Sequence, residues 1–307
     1  MAKYVIKRLV FGLCAIFVLA TVTFFLMKII PGNPFHRENK TLSAQQMEKL
    51  NAQFGLDKPL FEQYLLYISN AARGEFGESI KRVGTPVVNI VSRSAPVTAG
   101  LGAVAFVIAL TVGILFGIIS ALTKSRLVNS AVTVFATLGV SIPSFLLALI
   151  LMIVFGVILG WVKVVGLDTP LHYVLPASAL ALYPISMITR LTRSSLMDVM
   201  GKDYITLARS KGTPEISVII KHGLKNALLP VVTYCGPMLV GLLTGSFVIE
   251  TLFTIPGIGS EFVKSVTNRD YTLIMGLTIF LGSLMILMNL LSDVAAAMID
   301  PRIKFDK

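Results

Sequence analysis

Residues 127–162 read LVNSAVTVFATLGVSIPSFLLALILMIVFGVILGWV, 36 positions without one Asp, Glu, Lys or Arg. How often this stretch crosses a bilayer decides the fold. A spanning helix needs about 20 apolar residues, because the hydrocarbon core is about 30 Å thick and a helix rises about 1.5 Å per residue. The stretch is too long for one ordinary span and too short for two spans with a turn. Pro143, after Gly139 and Ser141, predicts a kink within a single tilted helix. Trp161 predicts an interfacial end, since Trp favours the headgroup boundary.

On either side, five more stretches lack those four residue types over a crossing length: 9–27, 97–123, 169–189, 227–249 and 271–292. A bilayer offers their backbones no water, so each must close its own hydrogen bonds as a helix. They lack the alternation of transmembrane strands. The chain is 14% charged, where a soluble domain carries about 25%. Its mean hydropathy is +0.81. The expected fold is an all-α integral membrane protein with six transmembrane helices. Along the chain this predicts an N-terminus and first span at 1–30, an extracytoplasmic helical segment at 31–96 and a core at 97–307.

The net charge of +11 does not point to nucleic acid, because the cations sit between spans, where the positive-inside rule accounts for them. One span per stretch places both termini on one side. The segments there carry Lys3, Lys7, Arg8, Lys124, Arg126, Arg190, Arg193, Lys202, Arg209, Lys211, Lys221, Lys225, Arg302, Lys304 and Lys307. The two short loops opposite carry only Lys163, Lys264 and Arg269. Both termini are therefore expected in the cytoplasm, and 127–162 must cross once, since two crossings would turn the basic segment 190–226 outward. Lys3, Lys7 and Arg8 lead an apolar run too long for a signal peptide and without a small-x-small site, so an uncleaved first span is expected.

Segment 31–96 has local order written in it. Ser43 and Gln46 have capping-box spacing, for a helix running to Phe54 and stopping at Gly55. Asp57 and Pro59 open a second helix with Leu60, Tyr64, Tyr67 and Ile68 at helical spacing. Gly74, Gly77 and Gly84 mark turns, and Pro86–Arg93 suggests a short interfacial helix before the second span.

Segment 190–226 is a helix, a corner and a second helix. Leu196, Val199, Met200, Tyr204, Leu207 and Ala208 form an apolar stripe. Gly212 is a helix stop, and Thr213-Pro214-Glu215 is a start signal with Thr213 as N-cap and Pro214 first in the helix. Gly113 with Gly117, and Gly241 with Gly245, are spaced for close helix approach.

The sequence has no phosphate-binding G-x-x-x-x-G-K-[ST] loop, no H-E-x-x-H, no G-x-S-x-G and no C-x-x-C. His36, His172 and His222 are scattered, and Cys14 and Cys235 fall inside spans as expected buried thiols. No catalytic residue, cofactor or metal site is expected. Lys28 and Glu250 lie at span ends, within reach of the interface by snorkelling, and Asp293 lies near the end of the last span. Spans so poor in ionisable groups suit neither a proton nor a sodium pathway. A driving force for uphill transport would come from a partner through the 190–226 loop.

At this loop the chain resembles the transmembrane subunits of ATP-binding-cassette (ABC) importers, whose cytoplasmic hallmark is E-A-A-x-x-x-G followed by L-P. Thr206-Leu207-Ala208-Arg209-Ser210-Lys211-Gly212 takes that place and Leu229-Pro230 closes it, with Thr206 and Leu207 departing from the pattern and a longer gap than the general one before Leu229-Pro230. The run from Asp203-Tyr204-Ile205 to Gly212 is similar to the dipeptide and oligopeptide permeases. Lys7-Arg8-Leu9, Pro31-Gly32-Asn33-Pro34, Gly74-Glu75-Phe76-Gly77, Ile255-Pro256-Gly257-Ile258-Gly259, Arg269-Asp270-Tyr271 and Asp300-Pro301-Arg302 follow in that family's order. The long outer segment resembles the B-type subunit.

The resemblance implies a type I importer permease fold in a bacterial inner membrane, without catalytic activity of its own. It implies a second homologous permease subunit in a pseudo-symmetric heterodimer, two cytoplasmic ATPases and an extracytoplasmic solute-binding protein. A coupling helix is expected at about 203–211, with Leu207 and Ala208 in an ATPase groove, Arg209 and Lys211 at its rim and Gly212 permitting the corner. Peptides are the implied cargo; nickel complexes, glutathione, oligosaccharides and antimicrobial peptides pass through similar proteins. An ion-coupled secondary transporter is the rival of another class, and an intramembrane enzyme or scaffold subunit a third.

Overall fold

The computed structural model describes residues 2–29 and 43–299. His36, the Pro31-Gly32-Asn33-Pro34 motif and the Asp300-Pro301-Arg302 ending lie outside the described residues. In chain order the helices are α1 (Ala2–Ile29), α2 (Ala44–Gln53), α3 (Leu60–Ala72), α4 (Val87–Leu122), α5 (Arg126–Ser141), α6 (Ser144–Leu151) and α7 (Val174–Met200). They continue as α8 (Asp203–Ser210), α9 (Glu215–Ser217), α10 (Lys225–Ala227), α11 (Leu229–Leu243), α12 (Phe247–Leu252), α13 (Ile258–Thr267) and α14 (Tyr271–Ile299). A 3-10 turn at Pro170–Tyr173 leads into α7, and π-helical turns extend α6 over Met152–Ile158 and join α9 to α10 over Val218–Leu224.

Among the described residues, five helical stretches are long and apolar enough to cross a membrane: Val5–Ile29, Val87–Leu122, Pro170–Met200, Leu229–Leu252 and Tyr271–Ala295. The pair α5 and α6, extended to Ile158 and bent by 108°, makes a sixth where the broken pair is counted as one span. The kink expected at Pro143 is thus a true break. The ring of a proline drives the preceding residue out of the helical region, and Ile142 has ψ 121°. Pro143 is itself extended, with ψ 135°. Two consecutive extended residues turn the chain, whereas a kink would keep both helical.

The chain packs as two compact units, Met1–Val97 with Pro256–Leu287, and Thr98–Ile255 with Met288–Lys307. This grouping differs from a linear division at residue 96, because 256–287 pack with the N-terminal part. In the first unit the capping box at Ser43 and Gln46 starts α2, and Gly55 leaves it with φ +64°. α3 lays Tyr64 and Tyr67 against Phe24 of α1, with ring centroids 5.5 and 6.0 Å apart. The hydroxyls of Thr21 and Tyr64 are 2.8 Å apart. Lys28, expected to reach the interface, donates to Gln63 Oε1 at 2.5 Å and lies over the Phe24 and Tyr271 rings.

No separate helix occupies 86–93. Its residues are the start of α4, which runs 36 residues through Pro96. Val87 and Ile90 are buried with Ile258, Leu273 and Leu277, which holds this first turn in place. Asp270 ties the turn at Ser79, Ile80 and Lys81 to α14. It accepts Ile80 N–H at 3.1 Å, Lys81 N–H at 3.3 Å, the Ser79 hydroxyl and, as a helix cap, Leu273 N–H at 3.2 Å. Arg82 and Glu261 form an ion pair at 2.6 Å beside it.

The second unit is built around α7. Of the apolar window of the span Pro170–Met200, 56% is buried, against 17–28% for the other four spans. Small residues permit this: a Cβ on Gly113 would stand 2.7 Å from Ile188, and one on Gly117 would overlap Thr192. This glycine pair therefore sets the approach of α4 to α7. The other pair does not act that way, since Gly241 faces open space and Gly245 makes a turn at φ +84°. That turn separates α12 from α11 and aims Glu250 inward. Glu250 is 0% exposed and accepts the Thr98 hydroxyl at 2.9 Å, so the expectation that it snorkels to the interface is corrected. Cys235 is half-buried, but Cys14 is exposed, because α1 covers little of its own surface.

Candidate functional site

The basic segment after α7 folds as the predicted elbow, with different bounds. α7 continues without a break to Met200, so residues 190–200 belong to the span helix. Gly201 ends it and Lys202, extended at ψ 151°, starts α8. The apolar stripe read as continuous is therefore split between two helices. Its buried members are Leu196 on α7 and Ala208 on α8, Val199 and Met200 are partly buried, and Tyr204 and Leu207 point out and are 41% and 56% exposed.

The corner after α8 is a complete Schellman motif. Gly212 has φ +76°. Its N–H reaches Arg209 O at 2.9 Å, and Thr213 N–H reaches Ala208 O at 3.3 Å, satisfying carbonyls that the helix end leaves open. The next helix begins one residue later than expected. Pro214 is the N-cap and Glu215 the first helical residue, with no side-chain cap bond. Pro214 takes an extended ψ of 139°, which leaves the cap position to a residue with no side-chain acceptor.

Three contacts hold the elbow. Ile205 and Ala208 of α8 are buried with Val218, and Val199 and Met200 pack against them. Arg209 grips Glu215 across the corner through Nε at 3.1 Å and Nη2 at 2.6 Å. Hydrogen bonding from Arg209 lowers the Glu215 carboxyl below its ordinary value, and the same bond raises the Arg209 guanidinium. Asn226 Nδ2 donates to Tyr204 Oη at 3.0 Å.

The eight residues singled out by resemblance thus divide. Asp203, Tyr204, Thr206, Leu207, Arg209 and Lys211 lie on the exposed surface of α8 and its cap, Gly212 makes the corner, and Ala208 is buried in the elbow itself. The resemblance pairs Ala208 with Leu207 as a partner contact; its side chain instead packs on Ile205 and Val218. The sequence reading passed over Ile205 and Val218. Ile205 carries the only local signal, standing three residues before Ala208 on one helical face, and Val218 lies across the corner, where periodicity does not reach. Among the described residues no cluster of His, Cys, Asp or Glu suits a metal ion.

Residues 113–305 match the family described as binding-protein-dependent transport system inner membrane component, and residues 1–101 match the corresponding N-terminal family. The chain is 44% identical to the dipeptide transport system permease protein DppB of Bacillus subtilis over 100% of this chain and 99% of that one. It is 41% identical to the oligopeptide transport system permease protein OppB of Escherichia coli K12 over 99% and 100%. Two solved structures share the fold. The MetNI methionine ABC transporter in inward-facing conformations gives a TM-score of 0.53 at 18% identity, covering 69% of this chain and 96% of that one. An amino acid ABC transporter gives 0.52 at 14%, covering 70% and 95%.

Proposed function

This chain belongs to the family of binding-protein-dependent transport system inner membrane components, and on that premise we propose that it forms half of a peptide translocation pathway driven by cytoplasmic ATPases. It is a multi-pass permease subunit of an ABC importer and is not itself the ATPase. The observation that carries the coupling role is α8. It is a two-turn helix braced by its own small core, with Tyr204 and Leu207 turned outward. A short helix so fixed can transmit a push without deforming. Each of two ATPases receives one such helix, one from this chain and one from a second homologous permease. ATP binding then biases a rigid-body switch between two states of the spans. The excess of cations beside α8 supports a cytoplasmic elbow and cytoplasmic termini, with a solute-binding protein delivering cargo to the opposite mouth.

Peptide cargo is supported by the permeases named above. The assembled complex in proteoliposomes, with its binding protein, should take up a labelled dipeptide only when ATP is supplied, and excess nickel complex or glutathione should not compete. Uptake by this chain alone under an ion gradient would replace the proposal with secondary transport. Gly212→Pro, which cannot adopt φ +76°, should insert and assemble yet uncouple ATP hydrolysis from uptake. A Gly212→Pro complex that stays coupled refutes the role given to α8.

A further inference from the structure

We propose that a groove between α4, α5 and α7 in the second unit is a binding site for a phosphate group, and that its depth in the bilayer suits the headgroup of an anionic phospholipid. The groove has a volume of about 430 Å³ and is lined by Arg190, Arg193, Ser120, Thr133, Thr137 and Asp198, among others.

Its donors are unequally committed. Ser120 gives its proton to Asn129 Oδ1 at 2.8 Å, Thr137 to Thr133 O at 2.9 Å and Thr189 to Gly113 O at 3.3 Å. These three hydroxyls are therefore used within the fold. The guanidiniums are not. Arg190 spends Nη2 on Thr137 Oγ1 at 3.2 Å, and the Nε of Arg193 is buried without any hydrogen-bond partner. A buried N–H is normally satisfied, so an orphan calls for an acceptor that the chain does not supply. Asp198 does not fill the gap, since no ion pair among the described residues joins it to either arginine. Two planar forks three residues apart on one helix suit the geometry of a phosphate, which accepts paired N–H bonds.

Depth selects the source. The span Pro170–Met200 has 31 residues, roughly 46 Å of helix against a hydrocarbon core of about 30 Å. Its arginine-bearing end therefore overhangs at headgroup level. In the orientation given under Proposed function, on which the leaflet assignment rests, that level faces the cytoplasm, where anionic lipids gather and basic pockets between helices hold their headgroups.

The test uses the full chain purified with its partner subunits, and reads equilibrium binding of fluorescent phosphatidylglycerol against phosphatidylcholine of the same chain length. Phosphatidylglycerol should bind better, Arg193→Gln should weaken it about tenfold, as expected for loss of a charge-assisted bond, and Arg190→Gln with Arg193→Gln should abolish the preference. Helicity by circular dichroism, unchanged in both variants, excludes misfolding. Inorganic phosphate is the second probe. Displacement of the lipid by millimolar phosphate assigns the site to phosphate from either source, and resistance to it assigns the site to lipid alone. Equal binding of the two lipids with no competition by phosphate overturns the proposal. So does a folded double variant that binds like the native chain, and so does displacement by a dipeptide but not by phosphate, which would give the groove to cargo. Because the readout is binding, failure of the transport reading leaves this result intact.

Discussion

Gly212 sits at φ +76° with nothing within 4 Å of where a Cβ would stand. Only the backbone resists a side chain there. Gly212→Ala should therefore cost about 1 kcal/mol, seen as a modest drop in thermal stability with transport retained, in contrast to Gly212→Pro. The Arg209–Glu215 clasp is exposed to solvent, so its contribution is screened by salt. Its sign is nevertheless fixed. Glu215 titrates below its ordinary 4.5, so the clasp is intact above that value and is lost as the pH falls through the lowered one. Protease cleavage between α8 and α9 should stay flat from neutral pH down to that value and rise below it, and Glu215→Gln should remove the rise. Asp270 is the opposite case, buried and holding three backbone N–H groups and a hydroxyl. Asp270→Ala should cost about 3 kcal/mol, since each orphaned buried donor carries a desolvation penalty, and should expose residues 79–86 to protease. These sites were unequally legible. The Ser43–Gln46 capping box lies within four residues, and local chemistry specified it completely. Asp270 stood out only within a family motif, because its partners at Ser79, Ile80 and Lys81 lie 189 to 191 positions away and no short pattern encodes such a contact.

Among elements, the turn between α5 and α6 separates what hydropathy gives from what it withholds. Thirty-six uncharged positions identify a membrane segment, but they do not say whether Pro143 bends one helix or ends it. The answer lies in ψ at Ile142 and Pro143, which tertiary packing selects. Spin labels at Ser130 and Ile153, in a background without Cys14 and Cys235, would measure the outcome. A straight helix would hold them roughly 35 Å apart and the observed bend roughly 20 Å. The native chain should give the shorter distance, and Pro143→Ala should add a longer population by freeing Ile142 to remain helical. The start of α4 teaches a related lesson. Pro86 and the polar residues after it suggested a separate interfacial helix, yet burial of Val87 and Ile90 keeps the first turn in line with the span.

For the molecule as a whole, the five long apolar spans, the helices between the first two of them and the basic elbow could be read from composition, spacing and charge. The grouping of 256–287 with the N-terminal part could not, because it depends on side chains meeting across the length of the chain. Leu207, exposed on a braced helix, gives the prediction at this scale. Leu207→Asp should leave insertion and span packing unchanged but lower ATP-driven uptake by the assembled complex roughly tenfold or more, as removal of an apolar anchor does at an interface. Quantitative blotting of the membrane fraction beside the uptake assay separates the two effects. Four of the five spans bury only 17–28% of their apolar windows, and this has a consequence for how the protein must be made. A helix bundle that leaves so much oily surface uncovered gains little from folding alone in lipid. When synthesis outruns that of its companions, the surplus copies should turn over quickly in the membrane, so abundance will follow the scarcest member of the assembly rather than the dose of this gene.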